Sequence, residues 1–96
     1  MQPALTDCNE ALRLSPNKAE FLDSRGFTYL KLGRADAAIA DYNAALRLDH
    51  DLPSALYGRG LARLKTGSQA AGRADIAAAK RGNQKIAEQF ARYGLQ

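Results

Sequence analysis

Apolar residues recur along this chain every three or four positions, as in amphipathic helices, and no stretch alternates as a strand would. Turn-forming residues interrupt this pattern at 15–17, 49–51 and 82–83. Most of the apolar residues are Ala and Leu, which favour helix. The sequence therefore predicts an all-α fold of about six helices, over residues 3–14, 19–32, 36–48, 53–66, 69–81 and 84–94.

The pattern repeats with a period of 34 residues. The string DCNEALRL at 7–14 returns as DYNAALRL at 41–48, and Gly26 and Gly60 have the same separation. Self-similarity at a fixed period of this length indicates stacked units, each of which buries its apolar face on its neighbours. The sequence therefore predicts an array of helix pairs.

The period divides the chain, which we take as one domain over 1–96, into four parts. One full repeat spans 19–52 and a second spans 53–86. Residues 1–18 hold the second helix of a partial repeat, and residues 87–96 begin a further repeat or form a capping helix.

The central unit carries an ordered set of large and small residues: Leu22, Gly26, Tyr29, Gly33, Ala38, Tyr42, Ala45 and Leu46. In this order and in its period, the chain resembles the tetratricopeptide repeat family. The next unit departs from the pattern at Arg63, Gly72 and Lys80. The resemblance implies a right-handed α-solenoid of antiparallel helix pairs, a non-catalytic scaffold that binds a peptide or protein segment on its concave face.

Small residues have a physical role in this pattern. Gly26, Ala38 and Ala45 let helix axes approach, where a larger side chain would hold them apart. Gly33 and Gly67 are predicted to end the first helix of each unit, because glycine tolerates the left-handed backbone of a helix end.

The resemblance also implies which residues face the partner, since the concave wall of such arrays is built mainly from first-helix residues. In this chain they are Glu20, Asp23, Phe27, Leu30, Lys31, Ser54, Tyr57, Leu61, Leu64 and Lys65. Family members that grip a terminal carboxylate use Lys, Asn and Arg on this wall. The matching positions here are acidic or apolar, so we expect no carboxylate clamp.

An apolar strip of Phe27, Tyr57 and Leu61, edged by Lys31 and Lys65, remains on the predicted wall. Such a strip suits an amphipathic helix or an extended peptide. The alternative is that these side chains pack against adjacent helices or against the sixth helix.

Arg25 and Arg59 lie where the family usually has an apolar residue, and Asp7, Asp41 and Asp75 recur with the same period. We expect each arginine to form a charged hydrogen bond with a recurring aspartate on a neighbouring helix. The pattern does not say which aspartate, and solvated arginines are the alternative.

Charge is uneven along the chain, whose net charge is +4. Residues 53–96 are strongly basic, which can attract acidic partners or nucleic acid. No aromatic stacking platform accompanies the basic side chains, so this function is the least favoured. The candidate residues are Arg59, Arg63, Lys65, Arg73, Lys80, Arg81 and Lys85.

Self-association is a further alternative. Residues 1–18 lack the first helix that would cover the apolar stripe Leu5, Cys8 and Leu12. Either a longer array supplies that helix, or a second copy covers the stripe or the groove, or the stripe stays exposed.

No arrangement of residues indicates catalysis, a metal or a cofactor. Asp49, His50 and Asp51 share one polar loop, and Cys8 aligns with core positions, where it is expected to act as a small buried hydrophobe. The first fourteen residues lack the basic start and apolar core of a signal peptide. This favours a cytoplasmic location, although an exported parent protein stays open.

Overall fold

The computed structural model of the protein describes residues 3–95. Within that range it contains six helices and no strand, so the prediction of an all-α fold is confirmed. The helices are α1 (Pro3–Leu14), α2 (Ala19–Lys31), α3 (Ala35–Leu48), α4 (Pro53–Lys65), α5 (Gln69–Gly82) and α6 (Ile86–Ala91).

Each helix packs on the helices before and after it in the chain, which is the neighbour order of a solenoid. In addition, α2 contacts α4 and α4 contacts α6, whereas no such contacts join the alternate helices α1, α3 and α5 among the described residues. The first helices of the units therefore form one layer and the second helices another. The right hand of the superhelix stays a prediction.

Glycines end three of the helices. Gly33, Gly67 and Gly94 have φ values of 78°, 92° and 76°, in the left-handed region. At each, the following N–H donates to the carbonyl five residues earlier, as in Arg34 to Tyr29 at 2.9 Å, which is the Schellman arrangement. The predicted stops at Gly33 and Gly67 are confirmed.

The sixth helix is shorter than the predicted span of 84–94. It begins at Ile86 and ends at Ala91. Its C-terminal end is early because the left-handed Gly94 follows Gly67, the previous helix stop, by less than one repeat period. Ser68 precedes α5 but makes no side-chain cap hydrogen bond. Its ψ of 69° lies outside the extended region that N-cap residues normally adopt.

Tyr42 lies at the centre of the core and has no exposed surface. A Cβ placed on Gly26 would lie 2.9 Å from Cε1 of Tyr42, and one placed on Gly58 would collide with the same ring. Ala38 and Ala45 are also fully buried. Small residues therefore let the helices pack closely around one large ring. Burial of this ring also raises the pKa of the Tyr42 hydroxyl.

The predicted arginine–aspartate pairs are confirmed, and the structure identifies the partners. Arg25 donates from Nε and Nη2 to the two carboxylate oxygens of Asp41, at 2.8 and 2.7 Å. Its Nη1 donates to Oδ1 of Asn9 at 3.0 Å. This cluster joins α1, α2 and α3, while the earlier aspartate, Asp7, is exposed.

The next repeat contains the same cluster. Arg59 donates to both oxygens of Asp75, at 2.8 and 2.9 Å, and to Oδ1 of Asn43 at 2.9 Å. Arg63 adds a third hydrogen bond to Asp75, at 2.8 Å. The two clusters thus link five consecutive helices through one repeated set of polar side chains.

Candidate functional site

The residues predicted to face a partner occupy one side of α2 and one side of α4, since positions three and four apart share a helix face. They differ widely in exposure. Glu20, Lys31 and Lys65 are exposed, Asp23, Phe27, Ser54 and Leu64 are half-buried, and Leu30, Tyr57 and Leu61 are buried.

The sixth helix covers much of this face. The Phe90 ring is 5% exposed, and its centroid lies 4.8 Å from that of Tyr57 and 5.3 Å from that of Phe27. Tyr93 adds an edge-to-face contact with Phe27 at 5.1 Å. The apolar strip is therefore not an open groove, because the alternative of packing against the sixth helix holds for Phe27 and Tyr57.

A cavity of about 220 Å³ remains between α2 and α6. Its apolar wall consists of Ile86 and three aromatic rings, those of Phe27, Phe90 and Tyr93. Phe90 and Ile86 are buried, whereas Tyr93 is 62% exposed at the mouth. The cavity therefore combines a fixed aromatic floor with an accessible rim.

Polar groups line the rest of the cavity, from Asp23 and Ser24 on α2, Ser54 on α4 and Gln89 on α6. The Ser54 hydroxyl donates to Oδ2 of Asp23 at 2.7 Å. Burial raises the pKa of the Asp23 carboxyl, an effect that the Ser54 hydrogen bond only partly offsets. Asp23 forms no ion pair with any residue in 3–95.

Lys31 lies outside the cavity but uses the same rings. Its Nζ lies 4.8 Å from the centroid of Phe27 and 5.5 Å from that of Tyr93, within cation–π distance of both. Lys65, the equivalent residue on α4, is exposed. The two lysines that were predicted to edge the strip thus have different environments.

Sequence reasoning missed Phe90, Tyr93, Gln89 and Ser24 as members of the site. Phe90 and Tyr93 lie in residues 87–96, which were predicted to begin a further repeat or form a capping helix. Their spacing of three residues in an aromatic-poor chain was the available signal. Sequence reasoning also missed the structural role of the asparagine shared by the repeated strings DCNEALRL and DYNAALRL.

The basic residues of the C-terminal half are not equivalent. Arg59 and Arg63 are half-buried and share Asp75, whose single carboxylate balances one of their two positive charges. Exposed members of the predicted set are Lys65, Arg73, Lys80, Arg81 and Lys85.

The polar loop at 49–51 lacks the enclosure of an active site. Nδ1 of His50 lies 3.2 Å from Oδ1 of Asp51, and these side chains are 86% and 87% exposed. Within residues 3–95, no group of three or more His, Cys, Asp or Glu side chains is placed to hold a metal ion. None of the helices in that range has the length and hydropathy needed to cross a bilayer.

Comparison with known families identifies the repeat. Residues 28–67, from the middle of α2 to the turn after α4, match the family model described as TPR repeat. Comparisons with curated proteins and with solved structures returned no match. The matched segment contains Gly33 and Gly67 with their left-handed stops, and helix pairs packed in series surround it. Residues 28–67 therefore carry a tetratricopeptide repeat, as the sequence pattern predicts.

Proposed function

We propose that this protein is a non-catalytic scaffold that binds a peptide or protein segment at its concave face, beside α6. Tetratricopeptide repeats generally mediate protein–protein interaction. The observation that carries the proposal is the cavity between α2 and α6, because aromatic walls with a few convergent polar groups are typical of ligand sites. The exposed Tyr93 ring and Glu20 would extend the contact beyond the cavity.

A peptide-display selection against the intact chain tests this function. We expect selected peptides to lose binding to a Ser24→Tyr variant, whose ring would fill the mouth of the cavity. Ser68→Tyr, at an exposed position before α5, is the matched control and should bind as the wild type does. Peptides that bind both variants equally would place the interface elsewhere.

Self-association is the second candidate, and burial on α1 reduces the apolar surface available to a second copy. The predicted stripe on α1 is mostly covered by α2, since Leu12 is 7% exposed and Leu5 and Cys8 are half-buried. Cys8 is thus less buried than expected, and its Sγ lies 4.0 Å from Oγ1 of Thr28. Among the described residues, Leu14 at the end of α1 is the most exposed large apolar side chain, at 68%, and it still favours a second copy.

Binding of nucleic acid or of an acidic partner by the basic half is the weakest candidate, because Arg59 and Arg63 are ion-paired to Asp75. A nucleic-acid titration at two salt concentrations decides it. Phosphate contacts would give a steep loss of affinity with salt.

A further inference from the structure

We propose that the cavity between α2 and α6 binds the basic side chain of a lysine or arginine in the partner peptide, with the cationic end against Asp23 and the stem against Phe27, Phe90 and Tyr93. This inference rests on the proposed function and specifies the chemistry of the partner.

The size of the cavity points to one side chain. Its volume of about 220 Å³ is below the roughly 300 Å³ at which pockets for whole small molecules begin. The long stem of a basic residue is suited to apolar walls, since lysine and arginine bury their methylene groups and keep the charged end in polar surroundings. A peptide lying across the face would therefore insert a single residue.

The charge of the cavity points to a cation. Asp23 is half-buried and receives one hydrogen bond, from the neutral hydroxyl of Ser54. A partly desolvated carboxylate without a cation is unfavourable, and an incoming ammonium or guanidinium would relieve that cost. The other polar lining groups, Ser24 and Gln89, are uncharged, so nothing in the cavity opposes a positive charge.

Neighbouring charges on α2 strengthen this preference. Glu20 is exposed one turn before Asp23 and shares its helix face, which adds a second negative charge on that face of α2. Lys31 lies eight positions after Asp23, or roughly 12 Å along the helix axis. Its ammonium is held over Phe27 and Tyr93, so it does not neutralise the carboxylate.

The aromatic walls suit the stem of a basic side chain. Phe27 meets Phe90 and Tyr93 edge-to-face, at interplanar angles of 85° and 89°. The position of Lys31 shows that two of these rings already accept an ammonium on one side. A basic side chain in the cavity would lay its stem against these rings, and its charged end would reach Asp23.

The test uses peptides selected by display against the intact chain and resynthesised in matched pairs. In each pair, the basic residue at the shared position is replaced by its uncharged counterpart, norleucine for lysine or citrulline for arginine. We expect the replacement to weaken binding by about tenfold or more, the size of one lost charged hydrogen bond. Isothermal titration calorimetry at low and high salt measures the affinities, and the difference within a pair should shrink as salt is added.

Variants of the protein provide the second arm. Asp23→Asn should weaken the basic peptide about tenfold and leave its uncharged counterpart unchanged. Asp7→Asn makes the same charge change at an exposed position on α1 and should leave both peptides unchanged. Circular dichroism establishes that each variant is folded. The comparison of paired peptides uses the wild-type chain, so it is valid even if a variant fails to fold.

The outcomes separate the inference from the proposed function. Peptides that bind without a basic residue at a shared position, or that bind equally well with norleucine or citrulline there, overturn the inference and leave the scaffold function standing. A selection that yields no binding peptide overturns the scaffold function and this inference with it. If the wild type needs the basic residue for tight binding and Asp23→Asn needs it less, the result supports both the inference and the scaffold function.

Discussion

At the scale of single residues, the arginine–aspartate clusters are the clearest link between the repeat and its stability. Asp41 has 8% of its side chain exposed, and Arg25 supplies two hydrogen bonds to it. We expect Arg25→Met to lower the free energy of unfolding by about 3 kcal/mol, because it leaves a buried carboxylate without its cation. Urea unfolding followed by circular dichroism measures the loss.

Arg13→Met is the control for that experiment. Arg13 also forms a two-bonded ion pair, with Glu10, but their side chains are 67% and 58% exposed, so its removal should leave the unfolding midpoint nearly unchanged. The double substitution of Arg25→Met with Asp41→Leu should recover part of the loss, since no charge is then stranded. Equal effects of Arg25→Met and Arg13→Met would mean that burial of the pair is unimportant.

Removing the charge of Asp23 is expected to stabilise the fold, in contrast to removing the charge of Arg25. Burial raises the pKa of this carboxyl in the folded state, so the folded chain holds the proton more tightly than the unfolded chain does. The free energy of unfolding contributed by Asp23 is therefore present below its ordinary pKa and is lost as pH rises through the folded pKa. We expect Asp23→Asn to be more stable than the wild type at neutral pH and to lose that advantage in acid.

Thermal unfolding of both proteins at several pH values checks this expectation. Asparagine keeps an oxygen that can accept the Ser54 hydrogen bond, so the comparison isolates the charge. A wild type that is the more stable protein at neutral pH would mean that the carboxylate is satisfied within the chain. In that case the cavity would have less need of a cation from a partner.

At the scale of elements, a buried aromatic ring attaches α6 to the helices α2 and α4. Phe90 contacts the rings of Phe27 and Tyr57 and is almost fully buried. We expect Phe90→Ala to cost about 3 to 4 kcal/mol, the usual cost of truncating a buried phenylalanine. That is a large part of the roughly 5 to 15 kcal/mol that stabilises a domain.

Tyr93→Ala is the matched control for Phe90, because it removes a ring from the same helix end but at an exposed position. It should have a much smaller effect on stability in urea unfolding. A small effect of Phe90→Ala as well would show that α6 is only loosely attached to the concave face. The residues of α4 that are predicted to face a partner would then be accessible.

The elements also show how far sequence reasoning could reach. The stops at Gly33 and Gly67 were predictable, because both follow from the 34-residue period and from the backbone freedom of glycine. The end of α6 was not, since Gly94 follows Gly67 by less than one period. The cavity was equally hidden from the sequence, because it brings Phe90 together with residues of α2 that are far away in the chain.

The repeat period also could not predict which aspartate pairs with which arginine. The shift that relates Asp7, Asp41 and Asp75 makes all three equivalent in sequence. Only packing decides that Arg25 reaches forward to Asp41, in the second helix of its own repeat.

At the scale of the whole molecule, the chain is compact rather than extended. Its Cα radius of gyration is 12.3 Å and its principal extents are 33 × 26 × 23 Å. A globular chain of this length is expected to have a radius of about 12.5 Å. The short array therefore buries its units as a globular domain does, with α6 lying on α4 and α5.

This compactness and the cover on α1 predict a monomer. Light scattering should give a mass near 10.4 kDa at every concentration, because α2 already buries Leu12 and half-buries Leu5. A mass that doubles as concentration rises would contradict this and favour self-association. Leu14→Gln would then test the interface. Because Leu14 is 68% exposed, the substitution should disturb the fold little, and a return to the monomer would place the contact at the end of α1. A dimer that survives the substitution would place the contact elsewhere, and competition between a bound peptide and the second copy would locate it on the concave face.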